Sequence, residues 1–428
     1  MTPETHAVLL RFLGLLWPAG ILVPLILWQP PSARLAGAAL IATLWNTATL
    51  LAVHLAAARA GWWTHTAQGG LLLGMPADLL IGWALLWGAV PVLGLPKTPL
   101  WQCALLALGF DLLVMPACSP VLQLGDHWLL GEAAAIGFAL LPGLILGRSI
   151  AQRTHLRTRS VLLFVGFVGV LFFILPSLIL EQSGSSWKHA LSLPPTATAV
   201  FFQITFLLTA PGLSAVQEFC LRGGGTPLPF DPPARLVTSG PYAYIANPMQ
   251  ASTLLGLLLF GWWTASPWVA AAAVIALLTG AGMMGWHEDQ ELHTRFGGAW
   301  TAYRSHVRNW LPRWRPHVAT PATLYFAETC TPCSQLARWI TGRAPTGLAL
   351  AVAENHPTHK LRRLTYQTPG CTEQGVAAFA RALEHLHLGW AWIGWILRLP
   401  VILPAAQFIA DLSGADARDL PPGPIQDR

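Results

Sequence analysis

Charge is what this chain has least of. Of its 428 residues only 10% are Asp, Glu, Lys or Arg, where soluble domains average about 25%. A chain so poor in charge and 54% hydrophobic does not close into a water-soluble globule; much of it must lie in lipid. The formal charge of +6 does not call for nucleic acid, because basic loops kept in the cytoplasm account for it. The sequence has no internal repeat, no P-loop and no Gly-rich nucleotide motif. The start is also unlike a cleavable signal. Glu4 is the only charged side chain before Arg11, and the apolar run continues to Trp28 with no small-residue cleavage site, so it reads as a retained helix.

What is abundant is long apolar runs and tryptophan. A membrane-spanning helix needs about 20 mainly apolar residues. Nine stretches meet this loosely: 7–28, 35–58, 70–94, 99–118, 128–147, 160–180, 196–217, 248–264 and 267–285. The last two are short, separated by Ser266-Pro267, and read as a tight helical hairpin. The 21 Trp fit a membrane protein, since Trp gathers at the interfaces. Basic residues alternate along the loops. Arg148, Arg153, Arg157 and Arg159 lie on one side, as do Arg222 and Arg235, and Arg295 to Arg315. The connection 119–127 and the turn near 265 carry no Lys or Arg, and 181–195 has only Lys188. This pattern expects a multi-pass protein of a bacterial-type inner membrane, N-terminus out and C-terminus in the cytoplasm. Arg59 departs from it.

Acidic side chains inside spans are costly and should face the bundle interior. Asp78, beside Pro76, reads as satisfied near a helix end. Asp111 is open between a substrate path and a partner on a neighbouring helix. Cys103 and Cys118 read as small core residues.

The most informative stretch is 236–312. Pro227, Pro229, Pro232 and Pro233 make a stiff irregular loop. Gly240-Pro241 starts a turn that places Tyr242 and Tyr244 just before the eighth span. Asn247 reads as an N-cap with Pro248 at the first helical position. After the hairpin come Glu288 and Asp289, then Glu291, Leu292 and Arg295 at helical spacing. Gly297-Gly298 interrupts, and a second short helix carries Tyr303 toward Pro312. A hairpin returns the chain to the side it left, so two motifs that bracket it emerge together. The bland reading is an interfacial helix with solvated acids.

These residues resemble the isoprenylcysteine carboxyl methyltransferase and phospholipid methyltransferase superfamily over roughly 220–315. The family pattern is Gly-Pro-Tyr, Arg-His-Pro, a hairpin, Glu-Glu, Leu, Phe-Gly, Tyr and Pro. Here stand Gly240-Pro241-Tyr242, Asn247-Pro248-Met249, Glu288-Asp289, Leu292, Phe296-Gly297, Tyr303 and Pro312. The chain departs where Ala246-Asn247 replaces Arg-His and Asp289 replaces the second Glu. The resemblance implies S-adenosylmethionine as cofactor and a lipophilic or membrane-embedded methyl acceptor. It places Tyr242, Tyr244, Asn247 and Pro248 along the cofactor, with Glu288 at its polar end and Asp289 in support. A carboxylate can pair with the cofactor ammonium, and aromatic faces favour a sulfonium.

Beyond a basic linker to Pro321 the pattern changes. Thr323 to Ala327 is strand-like. Cys330-Thr331-Pro332-Cys333 follows, and 334–340 reads as a helix. Strand, Cys-x-x-Cys, helix is a redox arrangement, with Cys330 near a helix N-terminus that favours thiolate and Cys333 placed to resolve a mixed disulfide. Structural zinc completed by Cys371, His356 or His359, or a pair of inert thiols, are the other readings; no metal site is expected. The region 321–412 resembles the DCC family of thiol-disulfide oxidoreductases, with Glu328-Thr329 where Asp-Gly is usual. The Trp-rich stretch 389–399 is too short to span. It reads as core or a surface helix, and 413–428 as a disordered tail.

The expected fold is mainly α: a polytopic helical membrane bundle of about nine spans with a C-terminal thioredoxin-like α/β domain. The expected domains are 1–195, of open role, 196–315, methyltransferase-like, and 321–412, the dithiol domain. The function this implies is an integral membrane S-adenosylmethionine-dependent methyltransferase with a fused cytosolic redox domain and a thiol partner. An NADPH-dependent membrane reductase, or a non-catalytic scaffold or transporter, are the alternatives.

Overall fold

The computed structural model describes residues 3–226, 228, 231–280, 282, 285–356 and 360–418, the side chains of 285–288 excepted. The chain divides into two compact units, one of residues up to 191 together with 225–232, the other of 192–224 together with 233 onward.

The first unit is helical. Six of its helices are long and apolar enough to cross a membrane: Glu4–Trp28, Ala33–Ala60, Ala77–Gly94, Leu100–Ala117, Trp128–Gln152 and Leu156–Gln182. They form because their residues are mainly apolar over five turns or more, and several stop at Pro or Gly, as at Pro30-Pro31 and Gly61. Ser32 caps the second helix by accepting the N–H of Leu35, and Gly61 ends it in the left-handed region. Their outer faces carry exposed Val8, Trp17, Leu105 and Leu113, which suits lipid rather than water. Two short strand pairs cap the loops. β1 (Trp63–His65) pairs antiparallel with β4 (Leu122–Leu124), and β2 (Leu71–Leu72) with β3 (Met75–Pro76). Asp78 is satisfied at its helix start by Arg11, 2.7 Å away. Cys103 and Cys118 are buried in the core.

The second unit holds a seventh candidate span, Pro195–Gly223. Pro248–Trp263 and Pro267–Thr279 then form the expected hairpin, Ser266 capping the second arm by accepting the N–H of Val269. Gly261 permits the close crossing, since a Cβ there would stand 2.6 Å from that of Ala270. The expectation of about nine spans is met in part. The first arm has 16 residues, about 24 Å at 1.5 Å per residue, against a hydrocarbon core of about 30 Å; the second runs from Pro267 to Thr279, close to residues outside the described ones. Among the described residues seven helices qualify, or eight if Leu388–Leu397 and Ile402–Ala415, bent by 93°, make one broken span. Of those two, Leu388–Leu397 buries Ala391 and Trp395 against Ala243 and Tyr244.

The unit ends in a four-stranded sheet, order β6-β5-β7-β8. β5 (Ala322–Phe326) is parallel to β6 (Leu348–Val352) across the helix Thr331–Thr341. β7 (Thr365–Thr368) lies antiparallel to β5, and β8 (Cys371–Gln374) antiparallel to β7. The helix Val376–Leu383 covers the sheet with Ala378, Ala382 and Leu383 fully buried.

Candidate functional site

The hairpin brings its two flanking motifs together. Gly240, at φ +60°, opens a short 3-10 turn over Gly240–Ala243. Tyr303 on the helix Gly298–His306 donates its hydroxyl to the carbonyl of Tyr242 at 2.8 Å. The N–H groups of Ala246 and Asn247 bond the carbonyls of Arg308 and Asn309. Ala246 packs with Trp300, Tyr303 and Val307, and Leu292 and Phe296 lean on the same cluster. The turn before the hairpin and the helix Gly298–His306 after it are thus joined through main chain and core.

The individual residues divide by environment. Tyr242 is buried beside Phe219, with Ala215, Val237 and Met249 around it. Tyr244 is fully buried; its hydroxyl donates to the carbonyl of Glu384 at 2.9 Å and its ring meets Trp395 edge-on at 5.5 Å. Burial pushes its phenol up from its ordinary pKa. Tyr244 is therefore taken up by packing. Pro248 is buried at the first turn of its helix, while Asn247 gives that helix no side-chain cap. Asp289 is 62% exposed; it accepts the Trp300 indole N–H at 3.0 Å, with Arg304 at 3.9 Å. It braces the second short helix. The side chain of Glu288 lies outside the described residues.

The dithiol is held by local geometry. β5 delivers the chain to Cys330, the residue before the helix Thr331–Thr341. Ser334 returns its N–H and hydroxyl to the Cys330 carbonyl at 3.0 and 2.8 Å. Both cysteines are half-buried and unbridged. Burial first, then the hydrogen bond the Cys333 S–H donates to Cys330 and the field of Cys330, push the Cys333 thiol up to about 12. Cys333 is the protonated partner, and Cys330 is the thiol at the end of the helix dipole. Glu354, just past β6, clamps the preceding loop by accepting the N–H groups of Glu328 and Thr329 and the Thr329 hydroxyl at 2.8–3.2 Å. Against the cost of burial, these bonds hold its carboxyl below the ordinary range. Among the described residues no group of three or more His, Cys, Asp or Glu could hold a metal ion. His359 lies outside them.

Sequence reading missed the strongest electrostatic feature of this unit. Glu218, fully buried in the seventh span, pairs with Arg381 at 2.8 Å and Arg398 at 3.4 Å and accepts the Ser239 hydroxyl at 2.5 Å. Arg381 and Arg398 also pair with Glu373 and Glu384 at 2.9–3.1 Å. Arg222 stands 3.6 Å from Glu218 and Glu373 and contacts the Cys371 thiol. Three acids and three arginines balance. The network fixes the loop before Gly240 to the span and to the helices flanking the sheet. The only signal in the sequence was an acid at the end of an apolar span.

No family model, curated protein or solved structure matches the chain.

Proposed function

We propose that the chain is an integral membrane S-adenosylmethionine-dependent methyltransferase, related to the isoprenylcysteine carboxyl methyltransferase and phospholipid methyltransferase group. The observation that carries this reading is the junction of the two motifs that bracket the hairpin, through Tyr303 and Tyr242 and through Ala246 and Arg308. In this reading Tyr242, Asn247 and Pro248 line the cofactor on one side. Glu288 takes its ammonium or ribose, and Asp289 sets the helix that carries Glu288. Tyr244 acts from behind, as packing. The acceptor is lipophilic and enters from the bilayer. Methyl transfer needs the acceptor in line with the methyl–sulfur bond, so alignment supplies much of the rate. Preferential binding of S-adenosylmethionine over NADPH by the detergent-purified protein tests it; preference for NADPH would favour a membrane reductase.

A second activity rests on its own observation. The parallel β5–helix–β6 unit, with Cys330 at the helix start and antiparallel β7 and β8 beside it, is the arrangement expected of a thioredoxin-like, DCC-related thiol-disulfide domain. The attacking thiol is Cys330 and the resolving thiol Cys333. A cytosolic thiol pool keeps such a pair reduced between turnovers. With the C-terminus in the cytoplasm, a membrane-impermeant thiol reagent on intact cells should leave Cys330 and Cys333 unlabelled. Labelling without lysis would invert the orientation.

A further inference from the structure

The first unit holds a small, mainly apolar cavity with a few titratable side chains in its wall, which neither methyl transfer nor dithiol chemistry uses. Its walls come from the helices Ala33–Ala60, Ala77–Trp87, Leu100–Ala117 and Trp128–Ala135 and from β1 and β4. Its volume is about 60 Å³, room for two waters at about 30 Å³ each. His54, His65, Asp111 and Glu132 line it among Trp83, Trp87, Met115 and other apolar side chains. Asp111, Glu132 and His54 are 0%, 2% and 4% exposed.

The donors do not match the acceptors. Asp111 Oδ1 accepts the Trp83 indole N–H at 3.1 Å. Asp111 Oδ2 and Glu132 Oε1 are buried with no N–H or O–H to bond, and both carboxyl groups line the same cavity of about 60 Å³. Two bare carboxylates in that position would repel in a medium that screens poorly. No Lys or Arg lines the cavity, and among the described residues no three His, Cys, Asp or Glu side chains are grouped to hold a metal ion. A proton between the carboxyls makes one of them the donor the other lacks. Across the cavity the rings of His54 and His65 meet edge-on at 4.8 Å. Their Nδ1 atoms and the Trp87 indole N–H are also unbonded. Burial, then the field of His54, lowers His65 to about 4, so at neutral pH it carries no charge. The remaining titratable groups are accounted for. The Cys118 thiol lines the cavity, Asp78 is held by Arg11, and Glu181 accepts the Leu73 N–H. Asp111 stands six residues before the end of its helix at Ala117, and Glu132 four after the start of its own at Trp128. The site thus lies about 6–9 Å inside one end of the bundle.

We propose that this cavity is a proton-binding site of the membrane bundle, in which Asp111 and Glu132 share one proton and the His54–His65 pair orients the water that exchanges it. Loss of the proton breaks one carboxyl O–H bond and forms one on water, with no electron transferred. A buried acid that gains and loses a proton near one face is the element a proton-linked membrane step needs. This inference stands apart from the methyltransferase reading, since it concerns other residues.

Infrared difference spectroscopy of the full-length protein in lipid nanodiscs, between neutral and alkaline pH, tests it. A protonated-carboxyl band is expected at neutral pH, lost as pH rises and at least tenfold weaker in Glu132→Gln. Asp111→Asn should remove or shift the same band, and serves if the first variant does not assemble. A band retained unchanged in both variants belongs to another carboxyl and overturns the proposal. So does a band that excess sodium removes at constant pH, which would make the occupant a metal cation.

Discussion

Cys330 and Cys333 lie three positions apart and differ in role because one ends a strand loop and the other sits inside a helical turn. Cys333→Ser should trap a mixed disulfide with a small thiol or a partner, seen by non-reducing mass analysis, and Cys330→Ser should not. Trapping in the reverse variant would exchange the roles, and about one zinc per chain, lost in either variant, would replace redox with a structural site. This pair was legible in the sequence because everything that defines it is local. Glu354 was not, because it clamps the Cys330 loop from 25 residues away. His385 was not either. Its Nδ1 faces the Thr346 carbonyl at 2.7 Å and its Nε2 faces the Tyr366 hydroxyl at 2.9 Å, which assigns a neutral ring with the proton on Nδ1. Burial lowers its pKa from 6.5 to about 4. In acid the unfolded chain then takes up a proton that the folded ring refuses, so stability is full above about pH 6.5 and falls toward pH 4. Glu373, held low by Arg381 and Arg398 despite its burial, acts in the same direction at lower pH. Melting curves should show the C-terminal sheet losing up to about 3 kcal/mol across that window, and His385→Gln should flatten the loss. A melting point that rises as the pH falls would contradict this.

At the scale of elements, hydropathy identified the long helices, and alternation followed by a Cys-x-x-Cys identified β5 and its helix. Both patterns are set by neighbours in sequence. Span number was harder, because apolar content alone does not tell a 24 Å hairpin arm from a membrane crossing. Least legible was what joins the elements. Glu218 and its partners Arg381 and Arg398 are 163 and 180 residues apart, and no periodicity signals a pairing at that range. The network nevertheless decides how the Gly240 turn is held. Removing one partner of a buried ion pair leaves an uncompensated charge, at a cost of about 3–5 kcal/mol. Arg381→Ala should therefore lower the thermal midpoint of the second unit sharply in detergent, while Arg295→Ala, whose partner Glu291 is half-exposed, should change it little. Equal effects would show that the buried network contributes no more than a surface pair.

For the whole molecule, the central claim is that the hairpin and its two flanking motifs hold S-adenosylmethionine at the membrane surface. The resemblance that motivates the claim lies in a short run of residues, and its acidic half rests on one carboxylate, Glu288. Calorimetric titration of the detergent-purified, full-length protein with S-adenosylmethionine, against NADPH as competitor, is the direct measurement. The account predicts micromolar affinity for S-adenosylmethionine, about −8 kcal/mol. It also predicts at least tenfold weaker binding in Glu288→Ala, since a charge-assisted contact contributes about 1.5–3 kcal/mol. Tight binding of NADPH with none of S-adenosylmethionine, or affinity for S-adenosylmethionine unchanged in Glu288→Ala, would contradict it.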